Sequence, residues 1–340
     1  MHRAFPAAPI HTAFFRPQST FPEFGSLPVR PFAINRIKLL RDNHRAALPL
    51  LPAVFHRTRI DADVVVCGTS GWSAGIETAG YKVLYMHAPT RWLHDQEAFL
   101  MGRSRFERAG LKVLERRLRR WDQRAVQSGD CHVVGSTVMA QTINALYGVD
   151  PVVLAPPVTI DPLGAARAPG DGLGTDFVLC ATRLVASKHV GSVIDAFRER
   201  RDDRLVVAGG GPELARLKAT APPNVRVIGP ANDAEMRWLF RNCRAVVAAS
   251  HESFGLITVE AAAFGKPAVV LRHGGFLDTV VDGVTGVFFD RADPREIGDA
   301  IDRVDAATID GERLRVHALR WAEPTFVDGL RRLATRDLTD

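Results

Sequence analysis

Two glutamates, Glu252 and Glu260, lie in the run SHESFGLITVEAAAFG (Ser250–Gly265) with seven residues between them, just after the apolar run Ala245–Ala249. Open parallel sheets bind ligands at the carboxyl ends of their strands, where helix N-termini present unpaired N–H groups to anions. If Ala245–Ala249 is such a strand, Glu252 sits in the turn and Phe254, Gly255 and Leu256 open the next helix. Glu260 then falls about two turns into that helix. One carboxylate reaches a sugar hydroxyl near the helix tip while the other reaches a ribose diol alongside. Alone, this spacing also suits a solvated helix face. What argues against that reading is the company of Glu260, flanked by Val259, Ala261, Ala262 and Ala263, because a carboxylate on a largely buried helix needs a partner.

Three further clusters follow apolar runs. In TRLVASKHV, Arg183 and Lys188 flank a short loop after Phe177–Ala181. Cations there can neutralise a diphosphate, about two negative charges, as it leaves a sugar carbon. After Leu205–Ala208 comes AGGGPE, where Gly209, Gly210 and Gly211 allow close backbone approach to a ligand and Pro212 suits the first turn of a helix. The dinucleotide fingerprint GxGxxG is not met, since Leu214 stands where the third glycine belongs. After Ala268–Leu271 comes RHGGF, with Gly274 and Gly275. Four strand ends are thus expected to converge on one phosphate- and sugar-sized cleft.

The elements that position these residues follow from the apolar pattern. Phe177–Ala181, Leu205–Ala208, Val225–Ile228, Ala245–Ala249 and Ala268–Leu271 are short apolar runs separated by helix-length intervals, the pattern of parallel strands buried on both faces. The N-terminal half is less regular, with strands expected at Asp63–Cys67, Lys82–Met86 and His132–Val134. Between the halves, residues 162–175 read PLGAARAPGDGLGT, which offers little to pack and suits a linker. This predicts an α/β protein of two Rossmann-like domains, over residues 1–161 and 176–310, followed by C-terminal helices over 311–340. Pro324 is expected to break or kink the helical stretch Gly311–Thr335 near its middle.

With these residues in place, the chain resembles the family 4 glycosyltransferases of the GT-B fold, retaining enzymes marked by a Glu-x7-Glu motif. The carriers are Arg183 and Lys188, the loop Gly209–Glu213, Glu252-Ser-Phe-Gly-Leu through Glu260, and Gly274–Gly286 with VVDGVTG. The resemblance implies that residues 1–161 form the acceptor-side domain and 176–310 the nucleotide-sugar-binding one, with the helices over 311–340 returning to the first domain, and that Arg183 and Lys188 bind the pyrophosphate. It implies that Glu252 and the amides of Phe254, Gly255 and Leu256 contact the hexose, and that Glu260 binds the ribose. Within the family the N-terminal half is most similar to bacterial O-antigen and lipopolysaccharide mannosyltransferases. That likeness rests on Gly68–Gly75 (GTSGWSAG), His87–Asp95 (HAPTRWLHD), Trp121-Asp122, Ser136 and the run PPVTID at 156–161. It implies GDP-mannose as donor, His87 beneath the donor sugar, and Arg91, Trp92 and Asp95 on the acceptor side, with a glycan or lipid-linked acceptor. It also implies no cofactor and no metal, because cationic side chains and helix N-termini do the neutralising. Family members begin with a strand, a glycine-rich loop and a helix. Met1–Thr12 resembles the segment after that helix, so about 25 to 35 residues, one βα unit, are expected to be missing before it.

Charge and composition narrow the remaining possibilities. The whole chain carries a formal net charge of +6. Over 101–124 alone, nine Lys or Arg face three Asp or Glu, while Leu111, Leu114, Leu118, Trp121 and Ala125 recur at helical spacing. Either this helix packs on the core with a solvated basic surface, or its basic face at 103–124 meets anionic lipid or a polyanionic acceptor. Nucleic acid is not expected, since no aromatic platform accompanies the charge. Cys67, Cys131, Cys180 and Cys243 have no ligand spacing and read as buried free thiols. Asp61-Ala62-Asp63 spells the manganese-binding DxD of another glycosyltransferase fold, but it precedes its strand and reads as a turn. No signal pattern or membrane-length apolar run is present, so a cytoplasmic protein is expected. The competing functions are a non-catalytic nucleotide-sugar-binding protein and another GT-B-like enzyme, such as a sugar-nucleotide epimerase or a phosphorylase.

Overall fold

A computed structural model describes residues 1–43, 47–48, 50–94, 105–170 and 172–335. The chain divides into two compact α/β units. Unit 1 comprises Met1–Gly135, Met139–Leu154 and the chain from Val327; unit 2 comprises Ser136–Val138 and Ala155–Phe326.

Unit 1 begins with two short parallel strands, β1 (Ile10–Thr12) and β2 (Val29–Pro31), then helices α1 (Lys38–Asp42) and α2 (Leu51–His56). Strands β3 (Val64–Thr69), β4 (Tyr81–Met86), β5 (Cys131–Val134) and β6 (Val152–Val153) form a second, wholly parallel sheet in that order. Between them lie α3 (Arg91–His94), α4 (Arg105–Gln127) and α5 (Thr137–Tyr147). On one sheet face Val65, Cys67, Leu84 and Met86 pack beneath Ala125 and Val126 of α4 and Met139, Ile143 and Tyr147 of α5. The alternation that puts residues two apart on one face does this. Of the apolar stripe expected of the basic helix, Leu118 and Trp121 face a core alongside Ala13, Ile34 and Trp72, and Ala125 faces the sheet, while the side chains of Leu111 and Leu114 lie outside the described residues. Arg116, Arg117, Arg120 and Arg124 are exposed. The start of the expected basic stretch, 101–104, lies outside the described residues.

Unit 2 holds β7 (Phe177–Ala181), α6 (Val190–Glu199), β8 (Leu205–Ala208), α7 (Leu214–Thr220), β9 (Val225–Gly229), α8 (Asp233–Asn242), β10 (Cys243–Ala248) and α9 (Leu256–Ala263). It continues through β11 (Ala268–Leu271), α10 (Phe276–Thr279), β12 (Gly286–Phe289), α11 (Pro294–Ala306), α12 (Gly311–Ala318) and α13 (Glu323–Thr335), the last reaching into unit 1. The six strands are parallel, in the order β12-β11-β10-β7-β8-β9. Every residue of β8, β11 and β12 is buried, which is why those strands read as continuous apolar runs.

Four sequence expectations need correction. Strand β12 (GVFF) was not anticipated, because it follows the glycine-rich turn of VVDGVTG without a helix-length gap. The C-terminal break precedes Pro324: α12 ends in a 3-10 turn, Leu319–Trp321, and Pro324 occupies the first turn of α13, where a missing N–H costs nothing. Cys131 is half-buried, unlike the three buried thiols. Residues 162–175 are not bare of contacts: Arg237 Nε of α8 donates to the Asp161 carbonyl (3.0 Å), and Arg241 Nη2 to those of Pro162 and Gly164 (both 2.8 Å). Leu173 is buried in the core. Among the described residues no helix is long and apolar enough to cross a membrane.

Candidate functional site

The strand order of unit 2 reverses between β7 and β10, since β8 and β9 continue to one side and β11 and β12 to the other. Such a reversal leaves a crevice at the carboxyl ends of the two strands. Lys188 ends the 3-10 turn after β7, and Glu252 lies in the loop after β10. They meet there: Lys188 Nζ donates to Glu252 Oε1, which also accepts from the buried Ser250 hydroxyl at 2.6 Å. The other Glu252 oxygen takes no hydrogen bond from the described residues. Arg183, five residues before Lys188, is exposed and has no ion-pair partner among the described residues.

Backbone packing fixes the glycines around this crevice. A Cβ on Gly209 would lie 1.8 Å from the Thr182 carbonyl oxygen, and one on Gly211 2.2 Å from that of Leu184. Both glycines also have positive φ (148° and 155°). Gly209 and Gly211 are therefore needed to seat the β8 loop against the β7 loop, whatever ligand it meets. Pro212 does not open a helix, because α7 starts only at Leu214.

Glu260 lies about one turn into α9, not two, because the helix begins at Leu256, after Gly255 in a left-handed N-cap conformation (φ 89°). It is half-buried, with no hydrogen bond or ion pair from the described residues. Burial first, and then the nearby Asp233 charge, push its carboxyl up to about 7. Phe254 is not presented by its ring: it is buried against Trp321 and Val259, so only its backbone is left to meet a ligand. Leu256 is exposed.

In unit 1, His87 follows β4, its N–H donating to the Thr69 carbonyl (2.8 Å). Its ring lies 5.0 Å from that of Tyr85 and faces Gly68. Although His87 keeps an exposed face, burial of its surroundings disfavours the protonated ring and lowers its pKa. Arg91 and Trp92 lie on α3, and Asp95 lies outside the described residues. The turn of α3 is held at both ends by one buried carboxylate. Asp122 accepts from Thr90 Oγ1 and from Tyr147 Oη (both 2.7 Å), and His94 Nε2 is 3.5 Å away. A separate cavity of about 960 Å³ in unit 1, lined by Asp63, Gly80, Lys82 and Asp130 among others, lies at the amino ends of β3–β5 and holds none of the predicted site residues.

One feature of unit 2 escaped the sequence reading. His251, beside Glu252, and His273, beside Gly274, stack face to face with ring centroids 3.8 Å apart and planes 15° apart. Both lie in segments singled out for their neighbours; a histidine next to each strand end was the available signal.

Residues 168–315 match the family profile described as Glycosyl transferases group 1. The D-inositol 3-phosphate glycosyltransferases of Mycobacterium bovis and Mycobacterium tuberculosis are 31% identical to this chain over 203 residues, 54% of this chain and 42% of theirs. The chain thus matches less than half the length of those relatives. Among solved structures, sucrose-phosphate synthase from Thermosynechococcus elongatus superposes with a TM-score of 0.72 at 16% identity, covering 99% of this chain and 91% of that one. The Anabaena HepE protein in complex with UDP and glucose gives 0.69 at 16% identity, covering 100% and 94%. The fold is of the GT-B type.

Proposed function

We propose that this chain is a glycosyltransferase that moves a hexose from a nucleoside diphosphate sugar, GDP-mannose by its resemblance to O-antigen mannosyltransferases, onto a glycan or lipid-linked acceptor with retention of configuration. The observation that carries this reading is the group at the β7/β10 crevice, where Lys188 and Ser250 hold Glu252 and Arg183 stands without an ion pair among the described residues. Cations placed where a leaving group gains charge stabilise its departure. In this reading the bond from the anomeric carbon to the diphosphate oxygen breaks with its electron pair on the diphosphate, beside Arg183 and Lys188. The acceptor oxygen attacks the same face, and its proton passes to the departing oxygen. Glu252 and the amides of Phe254, Gly255 and Leu256 orient the hexose, Gly209, Gly210 and Gly211 line the donor, and Glu260 takes the ribose hydroxyls. His87, Arg91, Trp92 and Asp95 serve the sugar and acceptor side, and no resident metal or cofactor is required. UDP-hexoses are the rival donors, because HepE was solved with UDP-glucose.

Calorimetry against GDP-mannose, UDP-glucose and UDP-galactose, followed by transfer to a panel of glycans, lipid-linked sugars and inositol phosphates, tests the proposal. NMR of the product's anomeric proton, with and without chelator, tests retention and metal independence. Binding without transfer to any acceptor would favour a non-catalytic binder, and absence of binding would refute the donor site. We further propose a cytoplasmic enzyme held at anionic membranes by the basic face of α4. Sedimentation with phosphatidylglycerol vesicles is expected to fall as salt rises toward physiological strength, where screening sets in at about 8 Å. Equal binding to neutral vesicles would remove the electrostatic claim.

A further inference from the structure

We propose that the stacked pair His251 and His273 is a subsite for the donor diphosphate, engaging it in the protonated form, so that donor binding takes up a proton; this rests on the donor reading above. The pair is held in place by the backbone. The backbone carbonyl of Glu252, next to His251, accepts from the Gly275 N–H at 2.8 Å, and a Cβ on Gly274, next to His273, would lie 2.3 Å from that same oxygen. The loops after β10 and β11 are therefore zipped together, and the two imidazoles crown the zip on the exposed side.

The charges around the pair are of one sign or already engaged. His189 follows Lys188 in a left-handed conformation (φ 50°), and its charge opposes that of His251, as does the charge of His273. Lys188 is bound to Glu252, and Arg272 to Asp282 and Asp290 (both 3.0 Å). Arg183 is exposed. Among the described residues no carboxylate lies within ion-pair distance of either imidazole. Burial, and then the neighbouring imidazoles, lower the pKa of His251 in the free protein.

A dianionic ligand reverses that balance. It attracts a proton onto His251, whose burial and neighbouring imidazoles otherwise disfavour it, and the pair then adds charge to Arg183 and Lys188 only when the anion is present. Affinity for a diphosphate is therefore expected to rise as pH falls through the imidazole range, by about three- to tenfold if binding raises one imidazole by up to one pH unit.

Calorimetry at about pH 8 and about pH 5.5 with UDP-glucose and GDP-mannose tests this, since their diphosphates are diesters that do not titrate in that interval. Uridine and guanosine, which keep the ribose but lack phosphates, serve as controls that cancel any titration of Glu260. The double variant His251→Phe/His273→Phe keeps two stackable rings but cannot take up a proton, and its melting temperature checks that it folds. In the wild type the affinity of the diphosphate sugar relative to that of its nucleoside is expected to rise three- to tenfold at the lower pH. In the variant that ratio should be the same at both pH values. Tight binding with a pH-independent ratio in the wild type overturns the subsite and leaves the donor reading standing. A ratio that still rises at the lower pH in the double variant also overturns it, assigning proton uptake elsewhere. Failure of both sugar nucleotides to bind at either pH refutes the donor reading itself, and the subsite with it.

Discussion

Asp122 in unit 1 and Glu260 in unit 2 are carboxylates on helices that cover their sheets, and their surroundings differ in one respect. Asp122 is 1% exposed and receives hydrogen bonds from Thr90 and Tyr147, with His94 close by. Glu260 is less deeply placed, has no partner among the described residues, and is pushed up to about 7. A buried charge with both oxygens hydrogen-bonded serves architecture, here by holding both ends of α3. One left unanswered at a strand-end crevice is costly in the empty protein and becomes favourable when a ligand hydroxyl arrives. Glu252 is intermediate: one oxygen is held by Lys188 and Ser250, and the proposed function gives Lys188 a second task at the diphosphate.

The largest effect is expected where the two tasks meet. Lys188→Ala should lower transfer by about 10² to 10³, and Arg183→Ala by a similar factor, the usual result of losing one electrostatic contact to a developing charge. Single-turnover kinetics would check this, and near-normal rates in both variants would remove these cations from the site. Asp122→Ala leaves the buried Thr90 hydroxyl without its acceptor and Tyr147 Oη with only His94 Nε2, 3.2 Å away, and should destabilise the protein by about 1–3 kcal/mol, read from urea unfolding, while nucleotide affinity in unit 2 is retained. An unchanged urea midpoint would show that Asp122 is not the clamp of α3.

Glu260→Gln should act in the opposite direction. The folded protein holds the Glu260 proton more tightly than the unfolded chain, whose value is near 4.5. Stability from this group is therefore complete below about pH 4.5 and is lost as pH rises through about 7. The variant should match the wild type near pH 4.5 and exceed it by about 1–3 kcal/mol at pH 8, while binding nucleosides more weakly. A variant no more stable than the wild type at pH 8 would mean that Glu260 has a partner in solution.

Much of unit 2 was legible in the sequence, because strands buried on both faces announce themselves as apolar runs and glycine clusters mark their ends. The short β1, β2 and β6 carry two or three residues each and no run, so they left no signal. The pairing of Lys188 with Glu252 spans 64 residues and follows from β7 lying beside β10, which no local pattern encodes. The stack of His251 on His273 depends likewise on β10 lying beside β11. The apolar neighbours of Glu260 mark it in the sequence, but its depth in the helix is about one turn and not two, because α9 starts only at Leu256.

The clasp of residues 161–165 by α8 bears on how the chain is made. Arg237 and Arg241 lie 72 to 79 residues beyond the carbonyl groups they hold. At ordinary translation rates of roughly 5–20 residues per second, those carbonyls wait several seconds on the ribosome before their partners exist. Throughout that interval the glycine- and proline-rich stretch has only a local turn on Asp161 to hold it, so a nascent chain arrested before Arg237 should be cut there by protease, and one arrested well beyond Arg241 should be protected.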